Sequence, residues 1–217
     1  MSPTAVVISG GGPITTSVVD RLPQDRFVIA ADSGLDHAIA LGLEVHLVVG
    51  DLDSVSADAL HDAEHRGVPV ERHPVDKDAI DTDLAIDAAL SRGFDHLVIV
   101  GSAAGRFDQV LAGALLLGSP RLTARRVEAW IGDAYVTPVR AQERVVLSRV
   151  VGTTISLLPV GIDAVGVTTT GLRFPLDDET LPAASTRGVS NVFANRSAEV
   201  FVRAGLLMVV LPDDLRT

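Results

Sequence analysis

The sequence predicts an α/β protein, with a parallel, doubly wound sheet in its first half and an all-β domain in its second. Three observations carry this. Up to about residue 117, short continuous apolar runs alternate with helical patterns. The apolar runs are unbroken rather than alternating, as expected of strands buried on both faces. After Gly118-Ser119-Pro120, strand-length runs follow one another with turn residues between them and no helical period, which predicts an antiparallel sandwich or barrel. The change in pattern puts the boundary near residue 125, giving domains 1–125 and 126–217.

In order, Ala5–Ser9 reads as a buried strand, followed by Gly10-Gly11-Gly12 and a helix over Ile14–Leu22. Phe27–Ala31 is the next strand, ending at Asp32, with a helix over Gly34–Leu41. Leu47–Gly50 runs into Asp51-Leu52-Asp53-Ser54. A helix from Ser56, its cap, to Arg66 stops at Gly67. Val68–Arg72 is a short strand, and after an acidic loop a helix runs from Asp81 or Thr82 to Arg92. His96–Val100 is a strand and Arg106–Leu117 a helix. The second half holds strands at Val127–Ile131, Tyr135–Val139, Arg144–Leu147, Thr153–Leu158, Ala164–Thr169, Glu199–Arg203 and Leu206–Leu211.

Composition narrows the function. With 47% hydrophobic and 21% charged residues the chain is an ordinary folded globular protein. The longest apolar run, around Val110–Leu117, falls far short of the roughly 20 residues a membrane helix needs. The opening MSPTAVVISGGG has neither a basic segment nor a long apolar one, so it does not read as a signal peptide. The absence of cysteine excludes disulfides, thiolate metal sites and catalytic thiols. A cytoplasmic protein with no membrane partner is expected. The net charge of −10 argues against nucleic acid, whose phosphates need basic stripes.

The charged residues are unevenly chosen. Of 28 acids, 21 are aspartate, and 13 of these lie between Asp32 and Asp108. Of 18 basic residues, 17 are arginine, and the one lysine, Lys77, sits between Asp76 and Asp78. Many of these aspartates are ordinary caps and turns. In open parallel sheets, however, ligands bind beyond the carboxyl ends of the strands. Asp32, the Gly50–Ser54 run, Asp76–Asp83 and Gly101–Asp108 all fall at such ends. Asp51 and Asp53, two apart past a strand, would repel one another unless a cation lies between them, and hard oxygen ligands select Mg²⁺; an Asx-turn with Ser54 is the simpler alternative. Taken alone, Asp83 reads as an acid of a helix first turn. The small-residue loop Gly101–Gly105 suits phosphate oxygens, with Arg106 as a bidentate clamp and Asp108 orienting it. A surface Arg–Asp pair is again the plainer reading. Gly10-Gly11-Gly12-Pro13 is not a dinucleotide fingerprint, and no Gly-Lys exists for a P-loop.

Taken in order, Ala31-Asp32-Ser33-Gly34, Gly50-Asp51-Leu52-Asp53-Ser54, the Lys-Asp…Thr-Asp segment and Gly105-Arg106-Phe107-Asp108-Gln109 resemble the signature of thiamine pyrophosphokinases. Thr170–Leu176, Ser190-Asn191 and Gly205-Leu206-Leu207 agree, so the resemblance spans most of the chain. It implies an α/β nucleotide domain, a C-terminal β-sandwich domain that binds thiamine and dimerises, and a homodimer with active sites between subunits. It implies that Asp51, Asp53 and Asp83 hold Mg²⁺ and the ATP phosphates, with Arg106 and Asp108 completing the catalytic set. Asp32, Lys77, Asp78, Asp81 and Thr82 would contact the nucleotide, as would Gly105 and Gln109. Phe174, Ser190 and Asn191 would meet thiamine. The chain departs from the family pattern in two places. Lys77–Asp83 is two residues longer than the common Lys-Asp-x-Thr-Asp form, so either Asp78 or Asp81 could take the place of the first acid. The substrate aromatic is Phe174 rather than Trp or Tyr.

The implied reaction moves a diphosphate from ATP to the thiamine hydroxyl and releases AMP. The alternatives are a pyrophosphokinase acting on another heterocyclic alcohol, such as a hydroxymethylpterin, or a non-catalytic nucleotide or thiamine sensor. Val48–Asp53 is superficially similar to the aspartyl nucleophile of haloacid-dehalogenase-type phosphatases, but that chemistry wants a downstream lysine and a later acidic pair, the only lysine is Lys77, and the motif lies on the third strand rather than the first.

Overall fold

The computed structural model describes residues 4–216; the first residues of the signal-peptide reading, 1–3, and residue 217 lie outside the described residues. The chain divides into two compact units, one comprising 1–117 and 124–132, the other 118–123 and 133–217.

The first unit is a parallel sheet of β1 (Thr4–Ile8), β2 (Arg26–Ala31), β3 (Leu47–Gly50), β4 (Val70–Arg72), β5 (His96–Gly101) and β6 (Arg126–Ile131). They lie in the order β6-β5-β1-β2-β3-β4. Every neighbouring pair is parallel. The chain moves outward from β1 to β4, returns to the other side of β1 as β5, and moves outward again. That reversal makes a crevice between β1 and β5, the switch point at which such sheets bind ligands. Register keeps the strand ends level, with Ile8 opposite both Ala30 and Val100. The loops carrying Ser9, Asp32 and Ser102 therefore leave the sheet side by side.

Four helices join these strands: α1 (Gly34–Ala40), α2 (Ala57–His65), α3 (Asp81–Ser91) and α4 (Phe107–Leu116). α1 packs on β1 and β2, and α3 on β1, β2 and β3. The Ser56 hydroxyl accepts from the Ala59 amide and caps α2, as the sequence predicts. The α1 N-terminus abuts the end of β1, where a Cβ on Gly34 would clash with the Ile8 carbonyl, so only glycine fits there. Two elements differ from the sequence reading. In place of a helix over Ile14–Leu22 there is a 3-10 turn, Thr16–Arg21. Pro13 and the β-branched Thr15, Thr16, Val18 and Val19 disfavour a full helix. The strand at Val127–Ile131, grouped by the sequence with the second half, pairs in parallel with β5 in the first unit.

The second unit contains two antiparallel layers built from β7 (Ala134–Arg140), β8 (Arg144–Ser148), β9 (Thr154–Pro159), β10 (Ala164–Thr170), β11 (Glu179–Leu181), β12 (Asn191–Val192), β13 (Ser197–Phe201) and β14 (Leu206–Leu211). One layer has its strands in the order β12-β9-β14-β7, the other in the order β11-β10-β13-β8. Ile155, Leu157, Leu181, Phe193, Val200 and Leu207 are fully buried and form the core of the sandwich. The short strands β11 and β12 have no counterpart in the sequence reading, since two or three residues carry no detectable alternation.

One ion pair stands out in this unit. The Arg149 guanidinium donates in a fork to both carboxylate oxygens of Asp214, whose side chain is 1% exposed. Arg149→Met leaves a buried carboxylate without its guanidinium and should lower unfolding free energy by about 3 kcal/mol. Arg203→Ala, which breaks the pair with Asp178 in which both side chains are more than half exposed, should cost under about 1 kcal/mol. Urea titration of both variants tests this, and equal losses would contradict it.

Candidate active site

The loops at the switch point line a cavity of 640 Å³ in the first unit. Its floor is the Ser9-Gly10-Gly11 loop after β1, where Ser9 donates its amide to Val100 and shares a 2.9 Å hydroxyl hydrogen bond with Thr82. The acidic side is built from the ends of β2 and β3. Asp32 has φ of 48° and donates its amide to the Val49 carbonyl, which fixes it against the end of β3. It is 8% exposed, and its Oδ1 is buried with no hydrogen-bond partner among the described residues. Burial pushes its carboxyl above the ordinary carboxylate value, partly offset by the Ser33 and Ser54 amides and reinforced by the Asp81 and Asp51 charges.

Gly50 has φ of 149°, and a Cβ there would press on Asp32 and Asp81. Leu52 follows at φ 66°, turning the chain so that the Asp53 amide points back to Asp51 Oδ1 at 3.4 Å. The Ser54 hydroxyl donates to Asp53 Oδ1 at 2.8 Å. The Asx-like turn expected as an alternative is therefore present alongside the clustered carboxylates. Asp32, Asp51 and Asp53 each bring one carboxylate oxygen to within 4.8 Å of the others. Hard oxygens gathered this closely, one of them buried without a donor, are a donor set that fits a hard divalent cation.

Lys77 closes the acidic side. Its ammonium donates to Asp51 Oδ2 and Asp81 Oδ1, each at 2.6 Å, and is 13% exposed. The Lys77 hydrogen bond holds the Asp51 carboxyl below its ordinary range. Burial disfavours the Lys77 charge, but the two carboxylates outweigh it and hold the ammonium above its usual value. A further tether was not foreseen from the sequence: Asp36 on α1 accepts from the Ser56 amide and hydroxyl, tying the α2 N-terminus to α1 beside the Asp51–Ser54 loop. An aspartate in a helix first turn carries no sequence signal of such a distant partner.

The structure places Asp83 outside the carboxylate cluster and outside the cavity lining, with Asp32 in the cluster instead. Two residues along α3 turn a side chain by about 200°, and of these two acids Asp81 is the one that lines the cavity. Between the two alternatives for the first acid, Asp81 lines the cavity while Asp78 is exposed and does not. Counted from Lys77, Asp81 also stands at the spacing of the last acid in the shorter Lys-Asp-x-Thr-Asp form. Thr82, Arg106 and Gln109 line the cavity; Gly105 and Asp108 do not. Arg106 and Asp108 form an exposed pair at 2.6 Å, which lowers the Asp108 carboxyl through the Arg106 hydrogen bond. The remaining wall is apolar, made by Ile99, Val110, Gly113, Ala114 and Ile131. Nothing in their spacing marks them, because the fold alone assembles β5, α4 and β6 around this space.

In the second unit, Phe174 is 60% exposed with the Arg173 guanidinium 5.7 Å from its ring centre. Asn191 is buried, and its side chain both accepts from the Phe174 amide at 3.1 Å and donates to the Phe174 carbonyl at 2.7 Å. Its amide group therefore holds the Phe174 turn in place. Ser190 has φ of 61°, is exposed, and donates its amide to the Ser156 hydroxyl.

Comparison with known proteins agrees with both units. Residues 20–129 match the family model of the thiamin pyrophosphokinase catalytic domain, and residues 142–207 match that of the thiamin pyrophosphokinase vitamin B1 binding domain. Over 209 residues the chain is 23% identical to the thiamine pyrophosphokinase of Bacillus subtilis (strain 168), covering 95% of this chain and 98% of that one. Among solved structures, thiamine pyrophosphokinase from Bacillus subtilis is similar with TM-score 0.85 at 22% identity, covering 96% and 98% of the two chains. The enzyme from Candida albicans is similar with TM-score 0.81 at 15% identity, covering 96% and 88%. At such identities the structural likeness speaks for the fold, and the two family models speak for descent. The chain belongs to the thiamin pyrophosphokinase family.

Proposed function

We infer that this chain is a thiamine pyrophosphokinase that transfers a diphosphate from ATP to the hydroxyl of thiamine, giving thiamine diphosphate and AMP. The observation that carries the reading is the carboxylate cluster of Asp32, Asp51 and Asp53 in the switch-point cavity of a chain from this family. The thiamine oxygen bonds to the β-phosphorus, the bond from that phosphorus to the oxygen bridging to the α-phosphorus breaks, and AMP leaves with that oxygen while the hydroxyl proton is lost. Transfer of this kind needs positioning and charge neutralisation more than covalent help from the protein.

Asp51 and Asp53, with Asp32 beside them, would hold Mg²⁺, which when bound supplies charge neutralisation at the phosphate oxygens. Arg106 presents a guanidinium to the cavity, and its partner Asp108 is itself exposed. Such a pair is weak and opens readily towards a phosphate. Gln109, Thr82 and Asp81 offer further polar contacts along the same wall. Phe174, held out by Asn191, offers a flat apolar face suited to stacking on an aromatic ring of thiamine. A homodimer is supported by α4, on which Phe107, Leu111 and Leu115 are exposed at i, i+4 and i+8 and no residue is buried. A cytoplasmic location suits a cysteine-free chain that consumes ATP.

Purified protein incubated with ATP, Mg²⁺ and thiamine should release AMP and thiamine diphosphate one for one by chromatography. AMP formed only with a different heterocyclic alcohol would move the acceptor, and binding without product would make the protein a sensor. Chelation by EDTA should abolish turnover and added Mg²⁺ should restore it. Asp51→Asn and Asp53→Asn should each lower kcat by about 10² or more; wild-type turnover in both would remove the cation from the reading. Phe174→Ala should raise the KM for thiamine by about tenfold, the loss of one stacking contact, while leaving the KM for ATP in place.

A further inference from the structure

Asp51 has two kinds of neighbour. One of its oxygens belongs to the cluster with Asp32 and Asp53, and its Oδ2 accepts from the Lys77 ammonium at 2.6 Å. The same ammonium binds Asp81 Oδ1 at 2.6 Å, so it bridges the end of β3 to the first turn of α3. Asp81 and Asp51 both add negative potential at Asp32, whose Oδ1 is buried and without a donor. Four carboxylates thus face one cavity, and the cation that bonds to two of them is a lysine that is largely withdrawn from water. An ammonium is a compact point charge with three donors. It satisfies carboxylate oxygens in the way a bound metal would, and for the same electrostatic reason.

We propose that Lys77 is a built-in competitor for the divalent cation. It neutralises Asp51 and Asp81 while the metal is away, and a cation entering the Asp32–Asp51–Asp53 cluster does so against the hold of its ammonium on Asp51. Loading is therefore an exchange of one cation for another at Asp51. The carboxylates keep their arrangement throughout, and free metal binds less tightly than three clustered acids would otherwise allow. This rests on the metal reading of the cluster given above.

The test is Mn²⁺ binding to the full chain without nucleotide, read from the EPR signal of free Mn²⁺, for wild type, Lys77→Met, Lys77→Arg and Asp51→Asn. Lys77→Met should bind about tenfold more tightly than wild type, because no ammonium opposes the metal, and Lys77→Arg, which keeps the charge, should stay within about threefold. Equal or weaker binding by Lys77→Met, with binding still lost in Asp51→Asn, overturns the competition and leaves the metal site standing. Mn²⁺ binding that is absent from wild type and Lys77→Met alike overturns the metal reading itself. Thermal unfolding gives a readout independent of affinity. Without metal, Lys77→Met should melt below wild type because its acids repel, and Mg²⁺ should recover most of that difference. A deficit that Mg²⁺ does not recover would mark Lys77 as a structural tie and overturn the proposal.

Discussion

Carboxylates repel, and this fold brings them together. The ends of β2 and β3 and the start of α3 deliver Asp32, Asp51, Asp53 and Asp81 to one cavity, and no hydrophobic contact offsets that repulsion at short range. The surrounding structure is arranged around this constraint. Parallel register keeps the strand ends level, Gly34 lets α1 close against β1, and Gly50 leaves room for two acidic side chains. Lys77 supplies the opposing charge, and its burial makes that charge count for more than it would at the surface.

Backbone conformation carries a cost at these loops as well. Asp32, Leu52 and Ser190 lie in the left-handed region without being glycine. Aspartate tolerates that region through its short polar side chain, whereas leucine does not and carries a penalty of about 1–2 kcal/mol. At Leu52 the cost has a visible return: the turn folds Asp53 back so that its amide meets Asp51 and its carboxylate joins the cluster. A leucine kept in that conformation between two clustered acids is hard to explain by packing alone. Strained residues held where side chains must converge are characteristic of functional sites.

Much of this was legible in the sequence, for physical reasons that also set its limits. Unbroken apolar runs such as Ala5–Ile8 announce strands buried on both faces, and a motif that directly follows such a run lands at the sheet's carboxyl edge. Asp32, Asp51 and Asp53 were therefore placeable before any coordinates. Which acids of the α3 first turn line the cavity was not legible, because spacing along a chain does not say which way a helix faces; the structure puts Asp81 in the lining and leaves Asp83 out of it. The placement of β6 was hidden for a related reason. A strand joins the sheet to which it hydrogen-bonds, and here the preceding crossover through α4 decides that, whereas the antiparallel pattern that follows is what catches the eye. The apolar wall of the cavity and the Asp36–Ser56 tether arise only on folding, from residues far apart in sequence.

Two of the Asp–cation pairs around the cavity show how one kind of contact can serve two ends. Lys77 with Asp51 and Arg106 with Asp108 have the same separation, 2.6 Å. Their surroundings differ, with side-chain exposures of 13% and 10% for the first pair against 71% and 66% for the second. Screened by water, the Arg106 pair contributes little to the fold and gives up its partner readily, which suits a group that meets an incoming anion. Shielded from water, the Lys77 pair cannot be broken without leaving an unbalanced charge, so only another cation can take its place. Exposure, more than distance, separates a pair that can open to an incoming anion from a pair that keeps the acids in order.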